Sequence, residues 1–393
     1  MEGGALLISG GRVVAAGRAR DLAAARPRAA RVDLDGCALL PALVNGHCHL
    51  ELSALGEVPP AGSFALWLLE IIRRKRAAAP QDWENGFREG LRACAEGGQG
   101  TVADVLSTPG AAYPEDGPEV LVFPEVIAPR PARAAAAVER ALAVSPRGRA
   151  RLGGLSPHSP YTACAQAYRL CARGAAARGG RIVTHVVETA EEVSFCLGHG
   201  GDLICTLYPP LLADPPHAPG AHPIEWMEGL GLLGPRTILV HAVHLELSHV
   251  AAVAASGAGV ILCPRSNRRF GSARAPGRAL LAAGVPVGLG TDSRLSAGDL
   301  DLRNDVVAAV EDYGWSPAQA LTAATRGSAQ ALGLSDRGAL VPGRRADILA
   351  LDLGSGADPW ERAVAGSGVR GLWLAGRRHG HREPALPAAP QRE

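Results

Sequence analysis

Two histidines one residue apart, His47 and His49, stand at the end of an apolar run. Alternate side chains of a strand share a face, so both imidazoles project one way and Cys48 the other. Two imidazoles a pleat apart can chelate one metal ion, with Cys48 left to packing. Alone the spacing is weak, because two ordinary polar histidines produce it as readily. Three more apolar runs end in residues of the same chemistry. His185 and Glu188 close Thr184-His185-Val186-Val187-Glu188, His241 closes Ile238-Leu239-Val240-His241, and Asp292 closes Leu289-Gly290-Thr291-Asp292. Singly, each has a bland explanation as a hydrogen-bonded core residue or a cap. Thr189 with Glu192 reads as a capping box, and Glu191 suits a first-turn dipole, whereas Glu188 precedes the cap and has no such role. His244 and His249 read as solvated polar residues, and Ser296 with Asp299 as a capping pair.

The elements that must position these residues follow from periodicity. Eight short apolar runs, over 43–50, 101–106, 120–127, 151–158, 181–188, 237–243, 259–264 and 285–292, read as buried parallel strands. Helical patterns lie between most of them, as over 63–76, and another follows the last over 317–332. The alternation predicts an α/β fold, a (β/α)8 TIM barrel over 43–334, whose strand ends converge on one site. His47, His49, His185, Glu188, His241 and Asp292 would then share a rim, and imidazole with carboxylate suits zinc or iron(II). Outside the barrel, strand–turn–strand over 5–17, a strand over 31–40, and β runs over 346–353 and 369–375 predict a small β-sandwich domain. It would be built from 1–42 and 335–381, with a disordered tail over 382–393.

Composition narrows the partners. The net charge of +2 on 393 residues gives no basic surface for nucleic acid. No apolar run reaches the roughly 18 residues a membrane span needs, and no secretory signal is visible. The eight cysteines are scattered, as in a reducing cytoplasm rather than a disulfide framework. Lys75 is the only lysine and lies outside any GxxxxGK[ST] segment, so a phosphate-binding P-loop is excluded.

In combination, His47-x-His49, His185-x-x-Glu188, His241 and Thr291-Asp292 resemble the amidohydrolase superfamily, in its mononuclear deaminase branch. The segment 338–347 is similar to the point where that family returns to its small β domain. The resemblance implies one divalent ion, zinc before iron(II), held by His47, His49, His185 and Asp292. Members that bridge two metals carry a lysine at the end of strand four; here that end is Ser156-Pro157-His158 and Lys75 lies elsewhere. The resemblance also implies roles: Asp292 takes the proton of the attacking water, Glu188 protonates a ring nitrogen, and His241 stabilises the forming hydroxyl. By the same match His158, Arg265, Ser266, Asn267, Ser293, Glu51, Phe64 and Trp67 contact a small-molecule substrate, the last two on a lid helix. A packed amphipathic face is an equal reading of that helix. Adenosylhomocysteine-type members carry an acid just before the lid tryptophan, where this chain has Leu66. The run 47–53, the lid and the Pro-rich stretch 198–223 look most like aminodeoxyfutalosine deaminases of menaquinone biosynthesis. The implied reaction is 6-amino-6-deoxyfutalosine to futalosine plus ammonia, in the cytoplasm, with a homodimer as an assembly open to it. Adenosylhomocysteine, methylthioadenosine, guanine and chlorotriazine hydrolases of the same branch are the alternatives. A non-catalytic relative would have lost ligands that this chain keeps.

Overall fold

The computed structural model describes residues 2–58, 62–108, 112–212, 215–271, 273–366 and 368–380. β1 (Gly4–Ser9) and β2 (Arg12–Arg18) pair as an antiparallel hairpin across Gly10 and Gly11. Both glycines have positive φ, 56° and 74°, which such a two-residue turn demands. β3 (Cys37–Pro41) is shorter than the expected strand over 31–40. Asp33 accepts the Asp35 N–H in a local turn, and Gly36 at φ 79° redirects the chain before pairing starts.

The barrel strands then follow in order: β4 (Leu43–Cys48), β5 (Gln99–Leu106), β6 (Glu119–Val126), β7 (Ala150–Leu152), β8 (Gly154–Pro157), β9 (Arg181–Val186), β10 (Thr237–His241), β11 (Gly259–Leu262) and β12 (Val287–Leu289). Pairing is parallel from β4 through β5, β6, β8, β9, β10 and β11 to β12. A Cys48–Asp292 bridge brings the segment after β12 back to β4. Val44, Ala103, Leu121, Phe123, Val183 and Ile261 fill the interior below the rim. The expected single strand over 151–158 is split. The break falls at Gly153, where a Cβ would lie 2.5 Å from the Phe123 ring, so only glycine leaves that ring its place in the interior. The expected helix over 317–332 is interrupted too. It runs Pro317–Thr322, widens over Ala323–Gly327 and resumes at Ser328–Ala331. There a Cβ on Gly327 would sit 2.1 Å from the Val287 carbonyl, and Ser328 Oγ bonds to Leu289, so the widened turn lets the helix dock on β12.

β13 (Ile348–Asp352), β14 (Val369–Leu374) and β15 (Arg377–Arg378) form a second sheet in the order β15-β14-β13-β3. Val13, Ile348, Ala350 and Trp373 pack between this sheet and the hairpin with Leu6 and Ile8, so both chain ends build one small core. The tail over 382–393 lies outside the described residues. Two other expectations are corrected. His249 is buried at 7% exposure rather than solvated, because its Nδ1 accepts the Glu246 N–H and its ring stacks on His222 at 3.8 Å. The stretch 198–223 is not all loop: Leu203–Leu207 forms a helical turn, with Leu203 and Leu207 packed in the cluster that holds Phe64 and Trp67. All eight cysteines are free thiols. Among the described residues no helix is long and apolar enough to cross a membrane.

Candidate metal centre

The parallel register sets the rim. β4 carries His47 and then His49 past its end, both on one face, while Cys48 turns into the packing with Leu50 and Leu91. Asn45 fixes this strand end. Its Oδ1 accepts the N–H groups of His47 and Thr291, and its Nδ2 donates to Gln99 and to the Thr291 hydroxyl. One side chain thereby ties strands one, two and eight of the barrel together. Asn45 and Gln99 escape sequence reasoning because a buried amide has no periodic signature.

Among the described residues, four of the five non-glycine residues at positive φ are here: Val187 (49°), His241 (71°), Ala242 (52°) and Asp292 (58°). A β-branched valine in that region is a real outlier, and each such residue costs on the order of 1–3 kcal/mol. The strand ends leave the sheet through these residues, and His241 and Asp292 are themselves at the bends. Thr189 caps the next helix through the Glu192 N–H. Glu192 reaches back past the cap, accepting the N–H groups of Val187 and Glu188 at 2.9 Å each, and so holds the bend.

His47, His49 and His185 each offer a ligand atom within 4.8 Å of the others, as do His47, His241 and Asp292. His49 Nε2 lies 3.2 Å from His185 Nε2, and Asp292 Oδ1 lies 3.5 Å from Nε2 of both His47 and His49. Donors bound tetrahedrally at about 2.0–2.1 Å would sit roughly 3.3 Å apart, so these spacings fit a divalent ion such as zinc. The unpaired atoms agree. His185 donates Nδ1–H to the His158 carbonyl at 2.9 Å, leaving Nε2 as a bare lone pair. Both ring nitrogens of His47 are buried without a hydrogen-bond partner. Such orphans demand an occupant. Burial, reinforced by neighbouring imidazoles, holds His49 and His185 well below the usual histidine range, in the neutral form that a metal requires.

Asp292 divides its oxygens. Oδ2 accepts hydroxyls from Ser266 and Ser296 at 2.7 Å each, and Oδ1 faces the imidazoles. Burial alone would raise its pKa, but His47, His241 and His49 hold it well below the usual carboxylate range. Glu188 is the opposite case. Burial first, then the Asp292 charge, pushes it well above the usual range. It sits 3.5 Å from His241 Nε2, and its side chain is 8% exposed. Two carboxyls with opposed proton affinities on one rim are the arrangement of an acid–base pair.

Several expected substrate contacts have other duties. Ser266 holds Asp292, and Asn267 accepts His241 Nδ1–H at 2.9 Å, fixing that ring with its Nε2 lone pair toward Glu188. Arg265 pairs with Asp305 and Asp299 and donates to three backbone carbonyls, which leaves it no spare reach as a substrate contact. Ser293, not Ser296, is a cap: it accepts the Ser296 N–H. Glu51 is fully buried, accepting the N–H groups of Ser107 and Thr108, the Ser107 hydroxyl and the Lys75 charge. Phe64 and Trp67 pack on Phe270 at 5.3 and 4.6 Å, in a buried apolar cluster, and Leu66 faces solvent at 46% exposure. His158 stays at the rim, its ring 4.9 Å from that of His185. We expect Asn267→Ala to lower kcat about 10-fold with KM within about 2-fold, and to cost about 1–3 kcal/mol in urea unfolding. Steady-state kinetics and a denaturation curve check both.

A family model described as the amidohydrolase family matches residues 38–378. Over 343 residues the chain is 31% identical to an aminodeoxyfutalosine deaminase of Deinococcus radiodurans, covering 84% of this chain and 81% of that protein. It is 30% identical over 372 residues to a 5-methylthioadenosine/S-adenosylhomocysteine deaminase of Nitratidesulfovibrio vulgaris, covering 90% of this chain and 80% of that one. The crystal structure of an adenosine deaminase from Xanthomonas campestris with bound zinc superposes with a TM-score of 0.76 at 25% identity, covering 96% of this chain and 88% of that one. A hydrolase of carbon–nitrogen bonds other than peptide bonds, the chain belongs to the amidohydrolase family.

Proposed function

We propose that the enzyme deaminates the adenine ring of a purine nucleoside, and that the nucleoside is 6-amino-6-deoxyfutalosine, giving futalosine and ammonia for menaquinone synthesis in the cytoplasm. The observation that carries the deaminase reading is a pair of buried carboxyls on one rim, Glu188 at 3.5 Å from His241 Nε2 with its proton affinity raised by burial, and Asp292 among the imidazoles with its own lowered. His47, His49, His185 and Asp292 would hold one ion, for which we propose zinc. That ion, when bound, supplies the Lewis acidity that makes water nucleophilic at neutral pH. As water adds to the amine-bearing carbon, Asp292 takes its proton and Glu188 protonates the adjacent ring nitrogen. His241, its Nδ1–H fixed on Asn267, steadies the new hydroxyl. The carbon–nitrogen bond then breaks, the Asp292 proton leaves with ammonia, and Glu188 recovers a proton from the hydroxyl as the lactam forms.

The substrate rests on the run 47–53 and on the similarity to the Deinococcus enzyme. A second reading, methylthioadenosine or adenosylhomocysteine, has the Nitratidesulfovibrio relative behind it. Against it stands Leu66, apolar and turned to solvent where those enzymes carry an acid. The test is ammonia release from 6-amino-6-deoxyfutalosine, methylthioadenosine, adenosylhomocysteine, adenosine and guanine by zinc-loaded enzyme. We expect kcat/KM to be highest for the first; a 10-fold preference for any other overturns the substrate and leaves the reaction class standing.

A further inference from the structure

The chemistry uses the ends of barrel strands one, five, six and eight, and the arc of strands two to four is left for the rest of the substrate. On strand two, Glu51, Ser107 and Lys75 satisfy one another. Strand three is different. Leu121 and Phe123 of β6 point into the barrel interior, and Glu125, two residues further on, continues the same face at the rim. Its side chain is 6% exposed, and among the described residues no donor hydrogen-bonds its carboxylate. His158 Nε2 lies 3.9 Å from Oε1. That is too long for a hydrogen bond. A mostly buried side chain whose carboxylate keeps only an edge to solvent is free to meet a ligand, and none of the catalytic steps needs it.

The gap has a specific shape. His158 Nδ1 is engaged by the hydroxyls of Thr162 at 2.6 Å and Ser159 at 3.0 Å. In the tautomer whose Nδ1 accepts from these hydroxyls, Nε2 carries the proton and donates toward the gap. An oxygen placed between the two side chains can lie about 2.8 Å from both, donating to Glu125 and accepting from His158. A hydroxyl does both; an ammonium or a carboxylate does only one. We propose that Glu125 and His158 form a clamp for a ribose hydroxyl of the nucleoside, with Glu125 as the specificity-determining residue. This rests on the nucleoside reading above. The clamp lies one ring beyond the metal ligand His185, whose ring centroid is 4.9 Å from that of His158. It supplies from strand three an acid that the lid lacks at Leu66.

The test compares 6-amino-6-deoxyfutalosine with its 2′-deoxy and 3′-deoxy analogues in wild type, Glu125→Leu and Glu125→Gln. We expect wild type to disfavour one deoxy analogue by about 100-fold in kcat/KM. Glu125→Leu should raise KM for the ribonucleoside by about 100-fold, change kcat less than 3-fold, and leave that deoxy analogue within about 3-fold of its wild-type value. Glu125→Gln, which keeps an acceptor oxygen and the side-chain shape, should be intermediate, and it carries the test alone if the leucine variant does not fold. Equal losses on ribo and deoxy substrates, or a fall in kcat with KM unchanged, overturn the clamp while the nucleoside reading stands. If wild type deaminates free bases and none of the nucleosides, the nucleoside reading falls first and the clamp with it.

Discussion

Glu188→Gln is expected to lower kcat by about 10²–10⁴-fold, the usual range for a lost proton-transfer group, with the metal content unchanged. Glutamine fits the same space and keeps a hydrogen-bonding oxygen, so only the proton is removed. The pH dependence separates this from a packing defect. Burial and the Asp292 charge raise the Glu188 pKa. Its acid form therefore persists above the unfolded value of about 4.3 and is lost as pH rises through the folded value. Wild-type activity should fall on that alkaline limb, and the limb should be missing from the residual activity of Glu188→Gln. Stability moves in the same direction. Folding takes up a proton at this site, so the buried acid weakens the fold progressively as pH rises from about 4.3 to the folded pKa. The glutamine variant should gain stability relative to wild type across that interval. An unchanged pH–rate profile would remove Glu188 from the proton-transfer role.

Stripping the metal is expected to abolish turnover and to destabilise the fold by about 4 kcal/mol relative to enzyme held at a thousandfold excess of free metal over Kd. The reason is local. His185 Nε2 faces His49 Nε2 at 3.2 Å and neither nitrogen of His47 has a hydrogen-bond partner, all in a buried site, so these lone pairs depend on the ion for satisfaction. His185→Ala should bring the same loss of activity through loss of metal, read as metal per protomer by atomic absorption. Because burial depresses the His49 and His185 pKa values, both stay neutral below the usual histidine range. Metal retention should therefore extend to more acid pH than free imidazole ligands would allow, and fail only as pH drops through those lowered values. Full turnover in metal-free enzyme would refute the metal centre.

Much of this protein is legible from local sequence. Strand alternation, glycine turns and the residue types at four strand ends are short-range properties, so the barrel, the hairpin at Gly10-Gly11 and the set His47, His49, His185, Glu188, His241 and Asp292 could be read directly. Duties set by contacts between distant segments could not. Ser266 and Asn267 stand in a segment expected to touch substrate, yet they hold Asp292 and His241, because helix Pro264–Arg269 packs behind the rim rather than over it. Arg265 and Glu51 were expected at the ligand, and tertiary packing supplied each with charges and donors of its own. Glu125 showed no signal at all, since one acid at the end of an apolar strand is unremarkable until its neighbours are known. Periodicity fixes which face a side chain takes, because it follows from the backbone repeat. Which partner it meets there is decided only when strands hundreds of residues apart close into one ring, for only then do burial and the distances between charges exist.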